Sequence, residues 1–246
     1  MTSVALVAGG TGPIGRAIAT ALAGDGLRVA LHYRSRADVA EKVLAELPGD
    51  HLAVGADLGD PAAVDAALAV VREQLGPVAV LVNAAHPALR TSAAVADTAA
   101  TDLAAQLAGV QAHVALCARV VPSMREHGWG RIVYVSGALM SRPAPGLGAY
   151  GAAKAAATVL TRYLALEEGR HGITANVVAP SRVVDPDEDE ELTPEQAALS
   201  ARLLVRMALP TFPTPAEVAA AVLTLVRSPA LTGQTLWVAG GEPIGG

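Results

Sequence analysis

Apolar positions along this chain alternate between two spacings. Compact apolar runs of strand length occur at Val4–Val7, Arg28–Tyr33, His51–Ala56, Val78–Val82, Arg131–Val135, Ile173–Ala179 and Thr235–Ala239. Most of them show little in/out alternation, as expected of parallel strands covered on both faces. Between them apolar residues return every three or four positions, which predicts helices over Arg16–Ala23, Ala37–Leu47, Pro61–Leu75, Asp97–His127, Tyr150 to about Gly169, Pro194–Ala208 and Pro215–Arg227. Pro61 stands at a first-turn position, where a missing N–H costs nothing. The long stretch Asp97–His127 invites a break near Gly109, with Pro122 close to its end. Strand and helix in regular succession predict an α/β, doubly wound fold: a seven-stranded, mostly parallel sheet with helices on both faces. No linker, repeat or low-complexity segment divides residues 1–246, so a single domain is expected.

The first strand runs into Ala8-Gly9-Gly10-Thr11-Gly12-Pro13-Ile14-Gly15 and then into a helix. Glycines at this spacing let a backbone turn approach a pyrophosphate, and the helix behind offers free N–H groups and the positive end of its dipole. Strand before and helix after are the context that such a motif requires. The fold is therefore expected to be a Rossmann unit, with its nucleotide across the carboxyl ends of the strands. The second strand ends in Arg34-Ser35-Arg36, with no acid at its tip. An acid there would bind a free ribose 2′-hydroxyl, whereas arginine accommodates a 2′-phosphate, so the expected cofactor is NADPH/NADP+.

Composition narrows the function classes. The chain is 52% hydrophobic with only 3% aromatic residues, so Ala, Val and Leu must fill its core. The net charge of −5 is local, because Asp185, Asp187, Glu188, Asp189, Glu190 and Glu191 crowd six acids into seven residues. No basic face for nucleic acid is present, no uncharged apolar run of spanning length is read, and no secretory signal is seen at Met1-Thr2-Ser3. A cytoplasmic protein with no membrane partner is the expectation. Cys117 is the only cysteine, which excludes an internal disulfide and cysteine-rich metal sites; no metal is expected.

Tyr150 and Lys154 are four residues apart at the start of a helix and so share one face. A neighbouring ammonium is expected to draw a phenol's pKa down toward the working range of an acid-base group. With the glycine loop 9–15, Asp57-Leu58 after the third strand, Asn83-Ala84-Ala85 after the fourth, Asn176–Pro180, and Thr232-Gly233-Gln234 before Gly240-Gly241, the chain resembles the short-chain dehydrogenase/reductase family. The likeness covers nearly the whole chain and is strongest to the ketoreductase branch that reduces 3-oxoacyl chains and polyketides. The resemblance implies that Gly9, Thr11, Gly12, Pro13, Ile14 and Gly15 hold the pyrophosphate. It further implies that Asp57 and Leu58 meet the adenine and that Asn83, Ala84 and Ala85 line the ribose. Lys154 would hold the nicotinamide ribose, with Pro180 and Val183 completing the cofactor site, and Tyr150 would protonate the substrate oxygen.

The departures from the family pattern are as informative. The catalytic serine position falls on Gly137, which has no hydroxyl. Ser136 is a substitute only if the strand end is twisted or bulged, since strand neighbours face opposite ways; Ser141 is another. The asparagine of the long fourth helix falls on Gly109, and neither neighbour replaces it. Pro13 stands where the family has a glycine, His86 replaces the glycine that ends the fourth-strand motif, Pro180-Ser181 replaces Pro-Gly, and Asp185 replaces a threonine. His86, and His113 one turn beyond Gly109, are candidates to donate to a substrate oxygen. His32, His51, His127 and His171 carry no motif.

The expected function is NADPH-dependent reduction of a ketone on a bulky or carrier-linked, possibly polyketide-like substrate. Its alternative is a non-redox lyase, cyclase or isomerase, or a cofactor-binding regulatory protein, which loss of the serine and asparagine would suit. A substrate lid is expected at about 181–212, hinged by solvated acids and closing through Leu199, Leu203 and Met207. The apolar faces of Leu103–Val121 and Ala155–Leu166 exceed what one sheet face needs, so a homodimer or homotetramer is expected.

Overall fold

A computed structural model describes residues 3–88, 94–186 and 192–242. The acids at 187–191 and the Leu199 side chain lie outside the described residues, so the expectation of a solvated hinge is not addressed by the structure. Seven strands form one sheet: β1 (Val4–Ala8), β2 (Arg28–Tyr33), β3 (Leu52–Gly55), β4 (Val78–Asn83), β5 (Gly130–Val135), β6 (Ile173–Pro180) and β7 (Thr235–Val238). Their order is β3-β2-β1-β4-β5-β6-β7, and every pairing is parallel. The α-helices among the described residues are α1 (Pro13–Gly24), α2 (Ala37–Ala45), α3 (Pro61–Gln74), α4 (Ala100–His127), α5 (Gly148–Glu168), α6 (Pro194–Arg206) and α7 (Pro215–Arg227).

The pleat of the strands divides the core into two layers. Ala5 and Val7 of β1 join Val29, Leu31, Val80 and Val133 on one face, packed under Ile18 and Leu22 of α1 and Val218, Val222 and Leu225 of α7. Val4 and Leu6 join Leu81 and Ile132 on the other, packed under Val64 and Val71 of α3 and Leu116, Val120 and Met124 of α4. A strand buried on both sides is apolar at most positions, which is why the runs read as nearly continuous; buried polar residues such as His32 and Asn83 are hydrogen-bonded.

Helix starts follow their caps. Asp60 accepts hydrogen bonds from the amides of Ala62 and Ala63 with Pro61 at the first position of α3, and capping boxes of Thr193 with Gln196 and Thr214 with Glu217 open α6 and α7. α1 begins at Pro13, three residues before the expected Arg16, because Gly12 caps it and Pro13 already has a helical φ. α4 starts at Ala100, the stretch Val95–Asp97 being a separate 3₁₀ turn, and it is unbroken at Gly109. A Cβ at Gly109 would stand 2.8 Å from Cδ of Pro87, so the glycine serves the close approach of the β4 turn and not a helix break. The helix also runs through Pro122 and stops at Gly128, whose φ of 62° suits a left-handed cap. α4 is long and apolar enough, by length and composition alone, to cross a bilayer, although its uncharged run ends at Asp102 and Arg119. Its Leu116, Val120 and Met124 stripe is instead packed on the sheet.

Candidate active site

Between β1 and β4 the strand order reverses, and this switch point opens a crevice at the carboxyl ends. A cleft of about 490 Å³ occupies it, with the glycine turn, the β2 end, the β3–α3 turn, the β4 turn and α4 as its walls. The glycine turn cannot be built from other residues. Gly9 has φ +78°, and a Cβ there would lie 2.7 Å from the Ala85 amide nitrogen, while a Cβ at Gly15 would lie 2.2 Å from the Gly9 carbonyl oxygen. The turn is thereby pressed against both the β4 turn and the first turn of α1. Thr11 and Gly12 face the cleft, and Pro13, Ile14 and Gly15 form the helix start behind it.

At the far end Arg34, Ser35 and Arg36 line the cleft, with Arg36 Nη2 donating to the Thr11 carbonyl at 2.8 Å. Asp57 and Leu58 line it from the β3 side, one oxygen of Asp57 accepting the Gly59 amide at 2.9 Å. Ala84, Ala85 and His86 line it from β4, whereas Asn83 is fully buried behind them. Asn83, expected at the ribose, is not among the residues lining the cleft, because its side chain is used in shaping the turn. Its Oδ1 accepts the Ala85 amide at 3.0 Å and its Nδ2 donates to His113 Nδ1 at 3.3 Å. His113 Nε2 then donates to Thr161 Oγ1 at 3.0 Å, and that hydroxyl donates to the Ala157 carbonyl at 2.8 Å. His113 is only 1% exposed, so it is a strut of a buried chain and not a substrate donor, contrary to expectation. Burial, aided by the Lys154 charge, lowers its pKa to about 4, which matches a chain satisfied by neutral imidazole.

Tyr150 and Lys154 lie on the first two turns of α5. Lys154 is 3% exposed, and its ammonium donates to the Val135 carbonyl at 2.8 Å and stands 5.7 Å from the Tyr150 ring centre. Burial pushes Lys154 down to about 7 and Tyr150 up to about 12. The expected downward pull on the phenol is absent because the ammonium is held by a carbonyl rather than by the phenol oxygen, and desolvation prevails. Burial thus favours the neutral, protonated form of the Tyr150 phenol.

A Cβ at Gly137 would lie 3.3 Å from Tyr150 Oη, so this residue faces the phenol where a serine hydroxyl could reach it. Ser136 faces the other way. It accepts from Thr158 Oγ1 at 2.9 Å and lies 3.4 Å from the Lys154 carbonyl oxygen, fixed between β5 and α5. Its expected catalytic role fails for the reason strand geometry gives: the chain is extended through Gly137 and alternate residues face opposite sides. Ser141 ends the 3₁₀ turn Ala138–Met140. Pro180 ends β6 with its carbonyl oxygen 3.9 Å from a Cβ at Gly137, and Val183 packs on the α1/α7 side of the core.

The His86 ring meets Tyr150 edge-on, centroids 5.9 Å apart. Its Nδ1 lies 2.6 Å from the Pro87 carbonyl and must carry the proton there, so Nε2 of the neutral ring is an acceptor. That reverses the expected donor role. Burial and the Lys154 charge lower its pKa, which favours this neutral form. Leu203 is half-buried on α6, but Met207 is packed under the C-terminal turn, with its Cε 2.3 Å from a Cβ built at Gly240. Met207 thus anchors the end of α6 instead of facing substrate.

Two features escaped the sequence reading. His32 is 5% exposed beneath the glycine turn, and the signal was a lone polar residue in an otherwise apolar two-faced strand. Arg142 and Glu242 form a buried ion pair at 2.5 Å between the loop before α5 and the C-terminal turn, a pairing across the chain that spacing does not reveal. Among the described residues no group of three or more His, Cys, Asp or Glu side chains is placed to hold a metal.

A family model described as enoyl-(acyl carrier protein) reductase matches residues 9–242. Carbonyl reductase family member 4 of Danio rerio is 33% identical over 243 residues, covering 98% of both chains. The short-chain reductase protein NovJ of Streptomyces niveus is 35% identical over 98% of this chain and 94% of its own. The 3-oxoacyl-[acyl-carrier-protein] reductase of Homo sapiens is 32% identical over 98% of both.

Proposed function

This chain belongs to the short-chain dehydrogenase/reductase family, and on that premise we propose that it is an NADPH-dependent ketoreductase acting on a bulky or carrier-linked 3-oxoacyl substrate. The observation that carries the reading is the placement of Tyr150, with Lys154 one turn behind it and its own ring edge-on to His86, which lines the cleft whose other end is lined by Arg34 and Arg36. When bound, the nicotinamide supplies the hydride, and the protein supplies position and protons. Arg34, Ser35 and Arg36 would hold the 2′-phosphate; the turn 9–15 and the start of α1 would hold the pyrophosphate; Asp57, Leu58, Ala84, Ala85, Pro180 and Val183 would complete the site.

Tyr150 gives its proton to the substrate oxygen. A phenol pKa of about 12 keeps that proton in place at neutral pH and suits the reductive direction. Gly137 leaves the oxygen without the family's serine donor, and His86 Nε2 offers an acceptor to a hydroxyl on the substrate or product. Relatives named for 3-oxoacyl-[acyl-carrier-protein] reduction support the substrate class. Leu203 closes the lid over the acyl chain. Exposed Val114 on α4 and Val159, Leu160, Tyr163 and Leu166 on α5 are apolar surface suited to a homodimer or homotetramer.

The test is NADPH oxidation against a panel of 3-oxoacyl thioesters, with the hydroxyacyl product identified. Oxidation matched one for one by product is the expected result. Tight NADPH binding without oxidation on any ketone would favour a non-redox enzyme or regulatory protein instead.

A further inference from the structure

His32 is the last buried residue of β2, and it joins two separate turns of the cleft to the end of that strand. Its backbone carbonyl accepts the Gly10 amide at 2.9 Å. Its ring nitrogen Nδ1 lies 3.2 Å from the Gly9 amide, and its Nε2 lies 2.9 Å from the Ala56 carbonyl. An amide can only donate and a carbonyl can only accept, so the two contacts fix one tautomer: Nδ1 bare, Nε2 protonated. One residue therefore holds two successive amides of the glycine turn, ties them to the end of β3 next to Asp57, and sits two residues before Arg34.

We propose that His32 is a positioning residue for the dinucleotide: its neutral Nε2–H tautomer sets the height of the glycine turn against the adenine-side turn, and protonation of the ring releases that turn. An imidazolium has no lone pair for Gly9, so the Gly9 amide would lose its partner in a buried place. Burial lowers the His32 pKa below 6.5, against the opposing effects of the Ala56 carbonyl and the Asp57 charge. Asp57 is the charged neighbour on the β3 side, and Arg34 and Arg36 line the same cleft from the β2 end. The small cavity beside the ring is walled by apolar side chains, including Leu6 of β1, Val54 of β3, Val64 and Leu68 of α3 and Leu116 of α4. Nothing there would welcome a second charge. The neutral form is the binding form, so affinity is complete well above the His32 pKa and falls as pH drops through it.

The role rests on the nucleotide reading above, and the experiment separates the two. Calorimetry with NADPH and with NADH is run from pH 8 down to pH 5 on the full chain, on His32→Asn and on His32→Leu. Asparagine keeps an acceptor near the Nδ1 position, and leucine keeps only bulk. At pH 8 the leucine variant should bind both nucleotides about tenfold more weakly, and equally so for each, because the pyrophosphate turn is common to both. The asparagine variant should stay near wild type at pH 8 and lose the extra acid-side weakening that wild type shows. The difference between wild type and His32→Asn cancels the titration of the NADPH phosphate itself. Independently of any nucleotide, ¹⁵N resonances of the wild-type ring should show Nδ1 bare and Nε2 protonated, with scalar coupling from the Gly9 amide into Nδ1.

A ring protonated on Nδ1, an asparagine variant as weak as leucine, or a leucine variant as tight as wild type would each overturn the proposal. So would a leucine variant that weakens NADPH alone. Wild-type protein that binds neither nucleotide while the ring shows the stated tautomer would overturn the cofactor reading, and the positioning role with it.

Discussion

Restoring a hydroxyl at position 137 should make this chain a faster reductase. Gly137 has φ −175° and ψ 150°, extended backbone that serine adopts without strain. The new Cβ would stand 3.3 Å from Tyr150 Oη, so the phenol must yield by a few tenths of an ångström, and the added hydroxyl then lies within hydrogen-bond reach of it. A preorganised donor aimed at a developing oxyanion is worth about 10²–10³ in kcat. Tyr150 already supplies one donor here, so the expected gain from Gly137→Ser is smaller, about tenfold in kcat/KM or about 1.4 kcal/mol. The assay is the fall in NADPH absorbance with a 3-oxoacyl thioester. Gly137→Ala is the control, because it adds the same Cβ without the oxygen. Serine should exceed both alanine and wild type, with NADPH affinity unchanged. Equal rates for the serine and alanine variants would refute the reasoning, since the hydroxyl would then do nothing beside Tyr150.

Four further outcomes are expected. Lys154 is buried with its pKa lowered from 10.5 to about 7, so between those values the unfolded chain binds more protons and stability from this group rises with pH. Tm should therefore climb between pH 7 and 9 more steeply in wild type than in Lys154→Met, a window chosen below the range where Cys117 and Tyr150, with raised pKa values, act oppositely; parallel curves would contradict the burial argument. Arg34→Ala should narrow the preference for NADPH over NADH by about 1–3 kcal/mol by calorimetry, and equal affinities in wild type would end the 2′-phosphate reading. Leu203→Ala should raise KM for the ketone with NADPH affinity unchanged, while Met207→Ala should lower Tm, by up to about 2–5 kcal/mol of stability, because it empties a packed site under Gly240. Reversal of those two effects would exchange their assignments.

Much of the fold was legible because a parallel sheet covered on both faces demands mostly apolar strands: the runs at Val4, Val78 and Ile173 read as buried, and they are. Ends were less legible where a cap or a neighbour decides them. Pro13 starts α1 early because it is preset for a helix, and Gly109 looks like a breaker until Pro87 is found lying against it. The glycine turn, the arginine tip and the Tyr150/Lys154 face were readable because their chemistry is local, set by spacing along one element. Side-chain direction at an element's end was not: Ser136 turned to Thr158, and Met207 to the C-terminal turn. The histidines show the same limit. His86 and His113 were read as donors, but their partners, Pro87 in one case and Asn83 and Thr161 in the other, decide which nitrogen carries the proton and whether the ring meets the cleft. His32 had no motif at all, since both its ring partners lie in turns that follow other strands, Gly9 after β1 and Ala56 after β3.

The central claim, that Tyr150 gives a proton to a ketone while NADPH gives hydride, is tested most directly by turnover of a 3-oxoacyl thioester in wild type and Tyr150→Phe, with NADPH affinity measured on both. The account predicts that wild type forms hydroxyacyl product in step with NADPH consumed. Tyr150→Phe should lose about 10²–10⁴-fold in kcat with nucleotide affinity little changed. A phenylalanine variant that reduces the ketone at the wild-type rate would contradict it.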